Sequence, residues 1–476
     1  MPFPRWVIWA LALGCLTHTA CANRDRRHAR PVPLPPGVSP DAIRDVPGCP
    51  EADRTPNGEL AVHQFRAEQR RAAEPHAPQP GAGRDYLVLS GLGSRSLYTY
   101  GVVCGWADSG TMPEFDVVTG VGGGAYAAVT AFAGRDSLAD LRRIFLSIDQ
   151  RQIQHGDAWD VKRFPHPFGI GTASVASTDK IHALTHPVFD DAFFAKVAAE
   201  HARGRRLYVG TTNLDTQRFV IWDMGAIASA GTPESRKLFE DLVVASTCMP
   251  PLLEPERIAM TVDGRRYEEM HVDGGLTRSL FFYPPSDWPG DEADRRTGDR
   301  MLAGGRVHVV LGDKVYNDPE GTKTTLADVS LRGWKAVMFA LHRADLARLY
   351  AHCLDRDMAV RVAAIPPEFD PPLFPTDEFN PAKTRRLFCE GYTRAQDGRA
   401  WDDRPPERAV SEERARRGTV LTAADTACTS SPARPLTRTV SQTSTVGTNP
   451  AAITRRRSGG SRPGSTRRRG RRRRAR

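Results

Sequence analysis

Apolar residues in this chain gather in short runs separated by longer amphipathic stretches. The first ordered run is Tyr86-Leu-Val-Leu89, closed by a glycine turn, and it predicts a buried strand. Similar runs at 115–119, 206–211, 219–222, 307–311 and 359–364 predict further strands. Helical periodicity marks 138–147, 191–201, 234–245, 331–353 and 381–394, and an apolar helix is predicted over 125–133. Strands alternating with helices predict a layered α/β domain with a largely parallel sheet, spanning 84–403.

Outside that span the pattern lapses. Trp6 to Leu16 is an apolar run of 11 residues behind Arg5, too short to span a bilayer and suited to an export signal. Residues 1–22 therefore read as a signal, with Leu13-Gly14-Cys15 resembling a lipoprotein box and Ala20-Cys21-Ala22 offering ordinary cleavage. The expected location is outside the cytoplasm, in a bacterial cell envelope, with Cys15 as a candidate lipid anchor. Residues 23–83 are rich in Pro and Arg and read as a linker. Residues 404–476 read as a disordered, Arg-rich tail.

Charge changes this picture only locally. The formal charge is +10, but 12 arginines lie between Arg455 and Arg476, and removing them leaves −2. The body is thus near neutral, and no specific nucleic-acid partner is expected. The tail has two readings, contact with an anionic surface or a solvated segment. The eight cysteines show no Cys-x-x-Cys or Cys/His spacing, so neither metal nor cofactor is expected. Cys49, Cys104, Cys248, Cys353, Cys389 and Cys428 remain for disulfides in an oxidising compartment, with no pairing legible.

The candidate chemistry centres on Gly120-Val121-Gly122-Gly123-Gly124, between the 115–119 strand and the 125–133 helix. A tight strand-to-helix turn of this kind carries the nucleophilic serine of a G-x-S-x-G motif. Here the flanking glycines Gly120 and Gly124 are present, and the serine position is Gly122. Three more segments bear on it. Ser90-Gly91-Leu92-Gly93-Ser94-Arg95-Ser96 is a glycine turn whose N–H groups suit an oxyanion. Val272-Asp273-Gly274-Gly275 places a carboxylate on a sharp bend, suited to a general base. Ala245-Ser-Thr-Cys-Met-Pro-Pro-Leu-Leu253 joins a helix to an extended segment.

Taken together, these pieces resemble the patatin-like phospholipases, in particular their exported bacterial branch. The resemblance runs from about Tyr86 to Trp401. It rests on Leu89-Ser-Gly-Leu-Gly93, Gly105-Trp106, Phe115-Asp-Val-Val-Thr-Gly-Val121, Thr211-Thr-Asn-Leu-Asp-Thr216, Val220-Ile-Trp-Asp-Met-Gly-Ala226, Ala245-Ser-Thr-Cys-Met-Pro-Pro251 and His271-Val-Asp-Gly-Gly275. It implies a three-layer α/β/α domain and a Ser–Asp dyad hydrolysing lipid acyl esters without a metal. Asp273 becomes the proton acceptor, and Gly91, Leu92, Gly93 and Arg95 form the oxyanion turn. The partner implied is a lipid or acyl ester, with membrane association through a lipidated Cys15 or the tail.

The chain departs from the family pattern twice. Gly122 replaces the nucleophile, and Leu92 and Ser96 stand where the family carries glycines. Leu92 is expected to be strained if its φ must be positive. A catalytically inactive member of the family is the expectation. The alternative is an active hydrolase with an unrecognised nucleophile or a sequence error at codon 122. A remoter alternative takes Gly120-Val-Gly122-Gly-Gly-Ala125 as a dinucleotide fingerprint, which needs an acidic residue ending a second strand; Asp140 has the spacing but lies in a helical segment.

Overall fold

A computed structural model describes residues 84–148, 178–215, 217–250, 252–262, 265–281, 304–316, 321–369 and 380–407. The signal and linker of 1–83 and the tail beyond 407, with Cys15, Cys21, Cys49 and Cys428, lie outside the described residues. Contacts divide the chain into Met1–Ser431 and Pro432–Arg476, and every described residue belongs to the first unit.

The elements run β1 (Asp85–Gly91), α1 (Ser96–Ser109), β2 (Val117–Gly122), α2 (Gly124–Ala133), α3 (Arg135–Ser147), α4 (Thr178–Thr185) and α5 (Asp191–Ala202). There follow β3 (Arg206–Asn213), β4 (Arg218–Asp223), α6 (Met224–Ala230), α7 (Pro233–Thr247), β5 (Glu256–Val262) and β6 (Arg265–Asp273). The described part closes with β7 (Arg306–Gly312), α8 (Leu326–Leu354), β8 (Ala359–Ala364) and α9 (Pro381–Gln396).

The eight strands form one sheet in the order β5-β6-β3-β2-β1-β7-β8, with β4 paired to β3. Its middle is parallel: β2 and β7 flank β1, β3 pairs β2 and β8 pairs β7. The β4, β5 and β6 pairings are antiparallel. Alternate residues of β1 feed two cores, as a strand's period of two requires. Leu87 and Leu89 pack with Tyr100, Val129 and Phe388 of α1, α2 and α9, whereas Tyr86 and Val88 pack with Leu346, Leu349 and Cys353 of α8. Helices therefore cover both faces, as the sequence pattern predicts.

Five described elements are absent from the predicted set, namely α1, α4, α6, β5 and β6, and for α1, β5 and β6 the reason is identifiable. Helix α1 is buried almost throughout, from Ser96 to Ala107, so it shows no polar face to set a period. Its glycines let α9 approach: a Cβ on Gly101 or Gly105 would overlap the α9 backbone at Phe388 or Tyr392. Reciprocally, a Cβ on Gly391 would lie 2.5 Å from the Tyr98 carbonyl. The β5–β6 hairpin pairs residues such as Arg257 with Met270 and Ala259 with Glu268, a polar run without strand-like alternation. Beyond α9 the chain returns to β8, where Asp402 bridges Val362, and Trp401 packs 4.6 Å from the Trp106 ring. Among the described residues, no helix is long and apolar enough to cross a membrane.

Candidate functional site

Strand β2 ends at Gly122, whose φ of +61° makes the sharp turn into α2. Glycine adopts this conformation freely, whereas an L side chain there is strained. The flanking glycines serve packing. A Cβ on Gly120 would lie 2.7 Å from Ala125 Cα, and one on Gly124 would lie 2.6 Å from the Leu89 carbonyl oxygen. Helix α2 is thereby pressed onto β1 and β2, with its N-terminus at the turn.

Asp273 stands opposite Gly122. It ends β6, is 2% exposed, and its Oδ1 accepts from the Gly275 N–H at 2.7 Å. A Cβ at Gly122 would lie 3.4 Å from that Oδ1, so the carboxylate faces the place of the missing side chain. Burial pushes the Asp273 carboxyl up to about 7, against the lowering pull of the Gly275 N–H. Gly274 allows the bend to nest on β3, since a Cβ there would lie 2.5 Å from the Gly210 carbonyl oxygen.

The end of β1 packs closely against the Gly122 turn. Strands β1 and β2 stay paired to their last residues, Gly91 against Gly122, and the Gly123 N–H donates to the Gly91 carbonyl at 3.0 Å. In the α/β-hydrolase elbow, the N–H of the residue after the nucleophile faces the oxyanion. Here that donor is occupied by a carbonyl of the chain itself. The same Gly91 oxygen would overlap a Cβ on Gly122, whose carbonyl carbon would be 3.3 Å away. Ser96 adds to the closure. Its buried hydroxyl donates to the Gly93 carbonyl at 2.6 Å and would overlap a Cβ on Gly123.

The expected strain at Leu92 is not found. Leu92 has φ −112° and ψ 109°, ordinary extended backbone, and the positive φ falls on Gly93 at +51°. Leu92 stands in the turn without backbone cost because the positive φ falls on the neighbouring glycine. Arg95, the basic member of the turn, is 8% exposed and ion-paired to Asp313, which follows β7 and is fully buried. Asp313 Oδ1 also accepts from the Lys314 N–H at 2.8 Å. Its Oδ2 makes no hydrogen bond among the described residues, and His342 Nδ1 lies 3.7 Å from it.

The Ala245–Pro251 motif contains a residue the sequence reading leaves without a role. Ser246, at the end of α7, is fully buried; its Oγ accepts from the Gly122 N–H at 3.0 Å and donates to the Gly210 carbonyl at 2.7 Å. Its signal in sequence is a hydroxyl pair, Ser246-Thr247, directly after apolar Val243, Val244 and Ala245. Two residues on, Cys248 is a free buried thiol whose carbonyl accepts from the Asp273 N–H at 3.1 Å. Cys389, by contrast, is disulfide-bonded. Ser246→Ala strands a buried donor and a buried acceptor together, and about 2 kcal/mol of unfolding free energy should be lost in urea titrations. A loss under about 0.5 kcal/mol would show that the turn does not depend on this hydroxyl.

The other motif residues form a polar network behind Asp273. Trp222 Nε1 donates to Thr211 Oγ1 at 2.8 Å, which lies 2.9 Å from His271 Nδ1, and His271 Nε2 lies 3.2 Å from Glu269. This network ties β3, β4 and β6 together at the strand that carries Asp273. Beside the oxyanion turn, a narrow groove opens to solvent, lined by Leu92, Met249, Leu252, Trp334, Met338 and Phe339, with Arg95 and Lys335 also in its lining. Met338 Cε would lie 3.6 Å from a Cβ on Gly275, so the groove reaches the Asp273 bend. Asp140, the acidic residue a dinucleotide site would need, is on α3 and pairs with Arg143 at the surface rather than ending a strand.

Residues 87–284 match the family model described as Patatin-like phospholipase. No curated protein sequence matches the chain. Among solved structures, the crystal structure of VipD from Legionella pneumophila is similar at 12% identity over 67% of this chain and 67% of that chain, with a TM-score of 0.28.

Proposed function

We propose that this chain carries a patatin-type domain that holds an acyl chain in its groove and does not hydrolyse the ester. The observation that carries this reading is the Gly91 carbonyl, which accepts from the Gly123 N–H and lies where a serine Cβ at Gly122 would be. Hydrolysis of the family's kind needs a nucleophile, and the Gly91 oxygen stands against the place of its Cβ. Loss of a covalent nucleophile alone lowers the rate about 10⁶-fold. What persists is a narrow apolar groove, lined by Leu92, Met249, Leu252, Met338 and Phe339, next to a buried carboxyl. The reading includes export through residues 1–22 and attachment through a lipidated Cys15 or the Arg-rich tail, on the strength of the sequence alone.

The test is to incubate the purified protein with a short-chain p-nitrophenyl ester and a fluorophosphonate probe. Neither turnover nor covalent labelling is expected. Turnover and labelling that are both lost in Asp273→Asn would sink the proposal. A second reading is favoured by the Asp273 carboxyl, whose pKa of about 7 suits a general base acting on water. It is identified by turnover without labelling.

Binding has its own check. Leu252→Trp, which fills the groove from its half-exposed wall, should weaken binding of a fluorescent long-chain fatty acid roughly tenfold or more, a change of about 1.4 kcal/mol. Unchanged affinity would place the acyl chain elsewhere.

A further inference from the structure

Far from the Gly122 turn in sequence, three side chains from three elements converge. His182 sits on α4, Asp241 on α7, and Glu256 opens β5. His182 Nε2 lies 3.1 Å from Glu256 Oε1 and 3.9 Å from Asp241 Oδ1, and one donor atom from each residue falls within 4.8 Å of the others. The side chains are 24%, 14% and 11% exposed for His182, Glu256 and Asp241 respectively, so the cluster is set into the surface. Among the described residues it is the one group with metal-ligand composition and spacing.

Geometry and charge both bear on what this cluster can hold. A tetrahedral zinc ion with bonds of about 2.0–2.2 Å places its ligand atoms roughly 3.3–3.5 Å apart. The observed separations bracket that value, and small rotations of three side chains would reach it. The Asp241 and Glu256 carboxylates, with oxygens within 4.8 Å of each other, repel. A dication relieves that repulsion directly. Lys237 relieves it in part, with Nζ at 2.8 and 2.6 Å from the Asp241 oxygens. The Lys237 side chain is 75% exposed, so its ion pair is the weak surface kind and yields readily. The neighbouring His186–Glu240 pair, at 2.9 Å, is different, because His186 is 71% exposed.

We propose that His182, Asp241 and Glu256 form a binding site for a zinc-class divalent cation, with three protein ligands and a fourth position left to water. Imidazole with carboxylate oxygens is a donor set that zinc accepts. The ion would clamp α4 and the start of β5 to α7, the helix whose end carries Ser246 and Cys248. Local sequence spacing cannot reveal such a site, because its ligands are 59 and 15 residues apart and meet only in the fold.

The experiment is titration of the metal-free full-length protein with Zn²⁺ by calorimetry, repeated with His182→Ala, Glu256→Gln and His186→Ala. Co²⁺ serves as the spectroscopic substitute. Since loss of a group that merely hydrogen-bonds a zinc ligand costs about 10–100-fold in affinity, His182→Ala and Glu256→Gln should each weaken binding roughly tenfold or more, and abolish the visible Co²⁺ bands of a four-coordinate site. His186→Ala should bind as the unaltered protein does. Glu256→Gln keeps shape, so its urea midpoint without metal guards against a folding artefact. Equal Zn²⁺ affinity in all four proteins, or no binding in the unaltered one, overturns the proposal.

Discussion

Asp313→Ala is expected to destabilise the domain by about 3–5 kcal/mol, the range seen when one partner of a buried ion pair is removed. The Asp313 side chain is fully buried and that of Arg95 is 10% exposed. Removing the carboxylate leaves a guanidinium in a low-dielectric site beside Phe339, whose ring lies 5.9 Å from it. It also strands the Lys314 N–H, which donates to the same oxygen. The pair fastens the oxyanion turn to the end of β7, where a Cβ on Gly312 would lie 2.9 Å from Gly91 Cα. Loss of the pair therefore loosens the segment that presents the Gly91 carbonyl. Urea denaturation measures the loss. The double change Arg95→Met with Asp313→Leu, which removes both charges, should recover most of the stability. A loss below about 1 kcal/mol for Asp313→Ala alone would mean that the pair is solvated and does not anchor the turn.

The second large effect concerns pH. Asp273 has its folded-state pKa raised to about 7 by burial, whereas an unfolded aspartate titrates near 3.9. Between those values the folded protein keeps a proton that the unfolded chain has released. Its contribution to stability is therefore full below about pH 4, falls as pH rises toward 7, and is flat above. The total change is on the order of 4 kcal/mol, of which on the order of 3 kcal/mol falls between pH 5 and 8. Asp273→Asn carries a neutral amide in place of the acid and should remove that share of the slope. Unfolding free energies of both proteins at pH 5 and pH 8 provide the check. Parallel slopes in the two proteins would show that Asp273 titrates as an ordinary surface carboxylate.

Much of the domain was legible in sequence because its central strands are continuous apolar runs bounded by glycine. Tyr86–Leu89 and Val307–Leu311 each fall inside a real strand, as buried parallel strands should. Helix α1 was not legible, since burial on all sides erases amphipathic period. The resemblance implies that Asp273 and the Gly122 position share one site, and in the fold a Cβ at Gly122 would lie 3.4 Å from Asp273 Oδ1. What closes the site was not legible. That the Gly91 carbonyl occupies the serine's place depends on β1 and β2 staying paired to their last residues, and pairing length has no local signature. Which residue of the 91–96 turn bears the positive φ is likewise not a local property: it falls on Gly93, and Leu92 is extended. Ser246 and Asp313 act across 124 and 218 residues of chain, a reach that only the fold supplies.

The central claim is that the Gly91 carbonyl, and not merely the absence of a hydroxyl, closes the site. Gly122→Ser tests it most directly, using fluorophosphonate labelling and p-nitrophenyl ester turnover on the purified full-length protein. The serine would enter at φ +61° with its Cβ overlapping the Gly91 oxygen and its neighbouring N–H already donated to that oxygen. A strained backbone position of this kind costs on the order of 1–3 kcal/mol. The account predicts a less stable protein that is neither labelled nor active. Stoichiometric labelling and ester turnover in Gly122→Ser, both abolished by adding Asp273→Asn, would contradict it.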